Sequence, residues 1–269
     1  MGFLGIFYLN NYFMKIFNET LIVLNSKITL NFLNIEKYSS ELLDLIKKEI
    51  GFIRNGSLSD EDLNDVKKKI KKWLDKKKKD NRAKNGFIAE FICHLYLRYI
   101  NFEQYSLFKN LEENGPKKGF DGLYILDDTM WLLESKSTEN IKKTHVSKIN
   151  EAYKDVKEKL ESSEENDLND PWENAKNHID NRNIKLNKLL SENVKKLTSD
   201  FINNKKHNIK EYNIIPSSTI YLNDNWEEIN VEKLKDDFRT SLRNKKANKM
   251  IVLCVNKKSI EGFINFINS

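Results

Sequence analysis

The chain has 269 residues, 39% hydrophobic and 32% charged, which points to one large domain, or a domain with a helical appendage, under a heavily charged exterior. Its net charge of +6 is concentrated, with eleven Lys or Arg against two Asp between Val66 and Lys84, a pattern that fits a polyanionic partner such as nucleic acid or an anionic membrane. Two cysteines, Cys93 and Cys254, exclude a disulfide framework, an iron–sulfur cluster or a cysteine-only structural zinc site, and they make the reducing cytoplasm the expected compartment.

Along the chain, MGFLGIFYLNNYFMKIF is apolar but lacks a basic leader and a small-residue cleavage site. It is also short for a bilayer span, so no membrane anchor is expected. Residues 1–34 read as strand-forming, and Met14 offers a second start position besides Met1. Residues 38–50 carry an apolar stripe at helical spacing after a Ser39-Ser40 start signal. Residues 60–79 form an amphipathic helix with Leu63, Val66, Ile70, Trp73 and Leu74 on one face and lysines on the other. On that basic face Lys68, Lys69, Lys72 and Lys76 are candidate phosphate contacts. Asn81 to Gly86 reads as a break, followed by a strongly apolar helix from about Phe87 to Ile100. Three strand-like runs follow, at 104–108, 119–126 and 130–137, the last two joined by the turn Asp127-Asp128-Thr129. A helix over about 144–160 leads into a polar, mostly helical insertion over 161–210, expected on the outside of the molecule. Strands at 218–222 and 250–255, a charged helix at 231–246 and a short helix from about Ser259 complete the chain. This order describes an α/β fold, a sheet sandwiched by helices.

Four charged residues fall where a core is expected. Asp121 lies in GFDGLYIL, and Glu134 and Lys136 lie in MWLLESKS, thirteen residues on. A period of two puts Glu134 and Lys136 on one strand face with Leu132, while Leu133 and Ser135 point the other way. Glu90 sits on the apolar helix among Ile88, Phe91 and Ile92. Buried carboxylates need a cation. Hard oxygen ligands from Asp121, Glu134 and Glu90 select Mg²⁺ or Mn²⁺, and Lys136 is placed to orient or deprotonate a water for phosphodiester hydrolysis. His94, one turn after Glu90, reads as a core histidine, and His145 and His178 as structural. Asp170 and Pro171 provide a helix N-cap and first position.

Asp121, the Glu134-x-Lys136 pair and Glu90 on the preceding helix resemble the PD-(D/E)xK nuclease superfamily, whose helix–strand–strand–strand–helix core matches residues 85–160. Phe120 stands where the superfamily name has Pro. The wording GFDGLYI, WLLESKS and DPWENAKNHI is similar to the HamA family, nuclease subunits of the Hachiman antiviral defence system. The resemblance implies a restriction-endonuclease-like core over 85–269, with a helical insertion at 161–210 and an N-terminal region of strands and basic helix over 1–84. It implies a Mg²⁺- or Mn²⁺-dependent DNA nuclease acting with a superfamily 2-type helicase, HamB, as a heterodimer. Glu134 and Lys136 would be the catalytic pair, Asp121 a metal ligand, and Glu90 a further ligand or orienter. Residues 1–60 and 161–246 are then the candidate docking surfaces. The alternatives are a stand-alone restriction endonuclease, for which no sequence-reading element is recognisable, and an inactive nuclease fold kept for DNA binding or regulation.

Overall fold

A computed structural model describes residues 16–108, 119–161 and 170–269. Met1, Met14 and part of the insertion (162–169) lie outside the described residues. Seven strands form one mixed sheet in the order β1-β2-β7-β6-β5-β4-β3. They are β1 (Asn18–Val23), β2 (Ile28–Ile35), β3 (Glu103–Gln104), β4 (Gly122–Leu126), β5 (Thr129–Thr138), β6 (Asn213–Tyr221) and β7 (Lys249–Lys257). The four central strands β2, β7, β6 and β5 run parallel, and an antiparallel neighbour closes each side. Within the parallel block Ile28 pairs with Met250, so the middle of the sheet joins the two ends of the described chain.

The parallel strands are covered on both faces, as crossover connections require, and alternate residues feed two separate cores. Leu33, Leu133, Ile215, Leu253 and Val255 belong to the first core; Phe32, Leu132, Ile214, Val252 and Cys254 belong to the second. Helices α1 (Ser40–Asn55), α2 (Leu63–Lys76), α3 (Asn81–Tyr99) and α8 (Glu261–Asn268) cover the first face. Helices α4 (His145–Glu161), α5 (Pro171–Ile179), α6 (Lys188–Ile202) and α7 (Val231–Ser241) cover the second. None of the helices described is long and apolar enough to cross a membrane.

Local chemistry sets the boundaries. Ser39 Oγ accepts from the Leu42 N–H at 3.2 Å and starts α1 where the serine pair indicates. Helix α3 begins earlier than the sequence pattern suggests. Asp80 Oδ1 accepts from the Ala83 N–H at 2.9 Å, and Gly86 lies inside the helix instead of ending it. Instead of a strand over 104–108 the sheet takes only Glu103–Gln104 as β3; beyond it the Tyr105 N–H still donates to the Leu123 carbonyl, Ser106 Oγ accepts from the Leu123 N–H of β4, and His178 Nδ1 accepts from the Leu107 N–H. Asp127 and Asp128 form the two-residue β4–β5 turn with φ of 48° and 55°, a left-handed pair that short polar side chains tolerate. The described part of the insertion is mostly helical, as its sequence implies, but it is not peripheral. Trp172, Ala175, Ile179, Leu190 and Val194 are buried in the second core, so α5 and α6 close that face.

Lys257 ends β7 inside the first layer, 2% exposed, with Nζ 4.4 Å from the centroid of the Tyr38 ring. No carboxylate pairs with it among the described residues, and burial pulls its pKa from 10.5 down to about 7. Between these two values the unfolded chain holds a proton that the folded chain has released. Stability from this group is therefore present above the unfolded value and is lost as pH falls toward about 7. Urea unfolding of the wild type should show stability rising from pH 7 towards 10 by up to about 1.4 kcal/mol per unit from this residue. Lys257→Met should flatten that slope and be the more stable protein at pH 7. A Lys257→Met variant less stable than wild type at pH 7 would contradict this.

Candidate active site

The hairpin β4–β5 positions the site. Gly122 pairs with Leu133, so Asp121 lies one step beyond the ladder, opposite Glu134. A Cβ at Gly122 would meet Tyr124 Cε2 at 2.6 Å and Leu133 Cβ at 3.1 Å, so the glycine leaves the space that the buried Tyr124 ring occupies. Asp121 Oδ2 then accepts the Ser135 N–H at 2.7 Å and is fixed against the backbone between Glu134 and Lys136.

Glu134 is 3% exposed and faces the second layer, as the alternation places it. Its Oε1 accepts from Lys136 Nζ at 2.9 Å and its Oε2 from Lys159 Nζ at 2.5 Å. Lys136 also pairs with Asp155. Burial pulls the Lys136 ammonium down, but Glu134 and Asp155 together outweigh it, and the net is a rise above the ordinary lysine value. Lys136 is therefore held protonated in this arrangement.

Lys159 and Asp155 are the site residues that sequence reasoning missed. Both lie on α4, one turn apart, beside the stripe of Ala152, Val156 and Leu160 that packs on the sheet. That spacing was the available signal: charges at positions where an amphipathic helix faces its core need partners.

Glu90 sits in the other layer, on α3. Its Oε1 lies 3.5 Å from His94 Nε2, and His94 Nδ1 contacts the Tyr124 hydroxyl. Burial pushes the Cys93 thiol up to about 12, with further contributions from the charges of Glu90 and Asp121, which both lie near it. Cys93 Sγ in turn is 2.9 Å from Ser217 Oγ. The structure thus brings Glu134 and Lys136 together, sets Asp121 beside them, and places Glu90 with His94 on the first face. Among the described residues, no three His, Cys, Asp or Glu side chains are grouped to hold a metal ion. The donor chemistry nonetheless suits a hard divalent ion, which commonly takes one or two carboxylates and completes its shell with water. Glu134 already holds a cation on Oε2, the Lys159 ammonium.

His145 and His178 are hydrogen-bonded into the fold. His145 Nε2 donates to Asn256 Oδ1 and Nδ1 accepts from the Ser218 hydroxyl, both at 2.9 Å, and burial lowers its pKa to about 4, so the ring is neutral. His178 accepts the Leu107 N–H at 3.0 Å. Lys68, Lys69, Lys72 and Lys76 are exposed along α2. Lys68 pairs with Asp65 and Lys69 with Glu61. Lys67 departs from the solvated face: it is buried over the Phe266 ring and donates to the Ser269 carbonyl at 2.8 Å.

The DPWEN segment braces the Asp121 turn. Asp170 Oδ1 accepts from the Trp172 N–H at 2.8 Å and starts α5 with Pro171 at its first turn. Trp172 packs its ring 5.0 Å from that of Phe120. Gly119 has φ of 93°, and a Cβ there would lie 2.9 Å from the Pro171 carbonyl oxygen.

A family model described as HamA matches residues 17–269. No curated protein matches the sequence.

Because Trp172 is 1% exposed and seats Phe120, Trp172→Ala should cost about 3–5 kcal/mol in urea unfolding. Trp172→Phe, which keeps a ring against Phe120, should cost much less. Equal losses in the two variants would show that the ring contact does not hold this turn.

Proposed function

The chain belongs to the HamA family of the Hachiman antiphage defence system, and from that premise we propose that it is a cytoplasmic, metal-dependent DNA nuclease, the effector that acts with a HamB-like, superfamily 2-type helicase. The observation that carries the proposal is the paired end of β4 and β5. There a buried Glu134 shares one strand face with Lys136, and Asp121 is fastened to the backbone between them.

Asp121 and Glu134 would hold Mg²⁺ or Mn²⁺, which when bound polarises a phosphoryl oxygen and lowers the pKa of a water. The Ser135 N–H keeps one Asp121 oxygen engaged and so fixes the direction of the other. Lys136, tied by both Glu134 and Asp155, is held as an ammonium. That favours a role as a fixed positive charge, orienting the water or the phosphate, over a role as proton acceptor. Glu90, on the α3 side with His94, would be a further ligand or orienter. The exposed lysines of α2, Lys68, Lys69, Lys72 and Lys76, supply sequence-independent phosphate contacts, which makes DNA binding strongly salt-dependent.

The test is plasmid cleavage by the purified protein with Mg²⁺, with and without the partner helicase and ATP. Glu134→Ala and Lys136→Ala should each lower cleavage by about 10²-fold or more, and chelation should abolish it. Full cleavage by both variants would remove the site assignment. Fixed-position fragments would identify a restriction-type enzyme, and DNA binding without cleavage a regulatory subunit.

A further inference from the structure

We propose that Lys159 is a built-in counter-cation for Glu134, so that the site takes up a divalent ion only by displacing this ammonium. The inference rests on the assignment of Glu134 as a metal ligand.

Glu134 has no free oxygen in this structure, since Lys136 occupies Oε1 and Lys159 occupies Oε2. Both oxygens of Glu134 already face an ammonium, and the two lysines are shared between Glu134 and Asp155, with Asp121 beside them. Adding two positive charges to Glu134 with both lysines in place would concentrate like charge in a buried spot, where Coulomb forces are little screened. One lysine has to leave the carboxylate.

The geometry selects which one. Lys136 has a second carboxylate partner in Asp155 and follows Glu134 by two residues on the same strand, so its position is fixed by the sheet. Among the described residues Lys159 has one carboxylate partner, Glu134, and its Nζ lies 5.7 Å from the centroid of the Phe120 ring. It projects from the last turn of α4 with its side chain 26% exposed, so the four-carbon stem can swing the ammonium into water. Displacement of Lys159 therefore breaks one ion pair and leaves the Lys136 network intact. Lys159 is a positioning residue: it holds Glu134 ordered before loading and sets the concentration at which the metal wins.

Mn²⁺ binding to the full chain, followed by electron paramagnetic resonance, tests this without any turnover. Lys159→Gln should tighten Mn²⁺ by about tenfold or more, the scale on which one close charge shifts an ionic equilibrium. Lys159→Arg, which preserves the pairing, should stay near wild type. A wild-type measurement guards against a variant that fails to fold: amine labelling of Lys159, read by mass spectrometry, should increase when Mn²⁺ binds. Unchanged affinity in a folded Lys159→Gln, or unchanged labelling at saturating Mn²⁺, would overturn the proposal. If instead Glu134→Ala binds Mn²⁺ as tightly as wild type, the metal-ligand assignment itself fails, a result separate from the effect of Lys159.

Discussion

A carboxylate in a protein interior needs positive charge beside it, and at Glu134 that requirement organises everything around it. The strand supplies one ammonium through Lys136 and the facing helix supplies another through Lys159, so α4 is joined to β5 by charge as well as by Ile149, Val156 and Leu160. Asp155 pairs with Lys136 from the same helix turn. The crossing of α4 over β5 is thereby specified at a residue where apolar packing alone would allow sliding.

The second constraint is backbone closeness. Gly119 lets the turn before Asp121 run beneath the start of α5, and Gly122 leaves room for the Tyr124 ring beside Leu133. Segments distant in sequence thus meet at one corner: GFDG, the ESK strand and DPWEN. The resemblance that singled out these three segments follows a physical division of labour. One bears a carboxylate, one bears the carboxylate–lysine pair, and one holds the first in place.

Much of this was legible in the chain. Period-two alternation assigns Glu134 and Lys136 to one face and Leu133 to the other, and the structure has them so, because strand geometry leaves no alternative once burial is decided. Capping residues such as Ser39 and Asp170 mark their helix starts from local hydrogen bonding alone. What was hidden depends on three-dimensional partners. Asn81 to Gly86 looks like a break until Asp80 is seen capping it. Asp155 and Lys159 look like helix-surface charges until the sheet is laid beneath them. Glu90 reads as buried, but on which side of the sheet it lies is settled only by the packing of α3.

The parallel pairing of β2 with β7 bears on how the protein is made. A ribosome delivers β2 long before its neighbour β7, which lines up Met250 with Ile28 from 222 residues further on (250 − 28). Pairings between such distant segments form slowly, because a long loop must close before any contact compensates for its entropy. The hairpin that bears Asp121, Glu134 and Lys136 docks on β6, which itself leans on β7. A nascent chain therefore carries these residues without the sheet that aligns them, and a truncated translation product does too. Only a chain synthesised through β7 has a complete sheet under these residues.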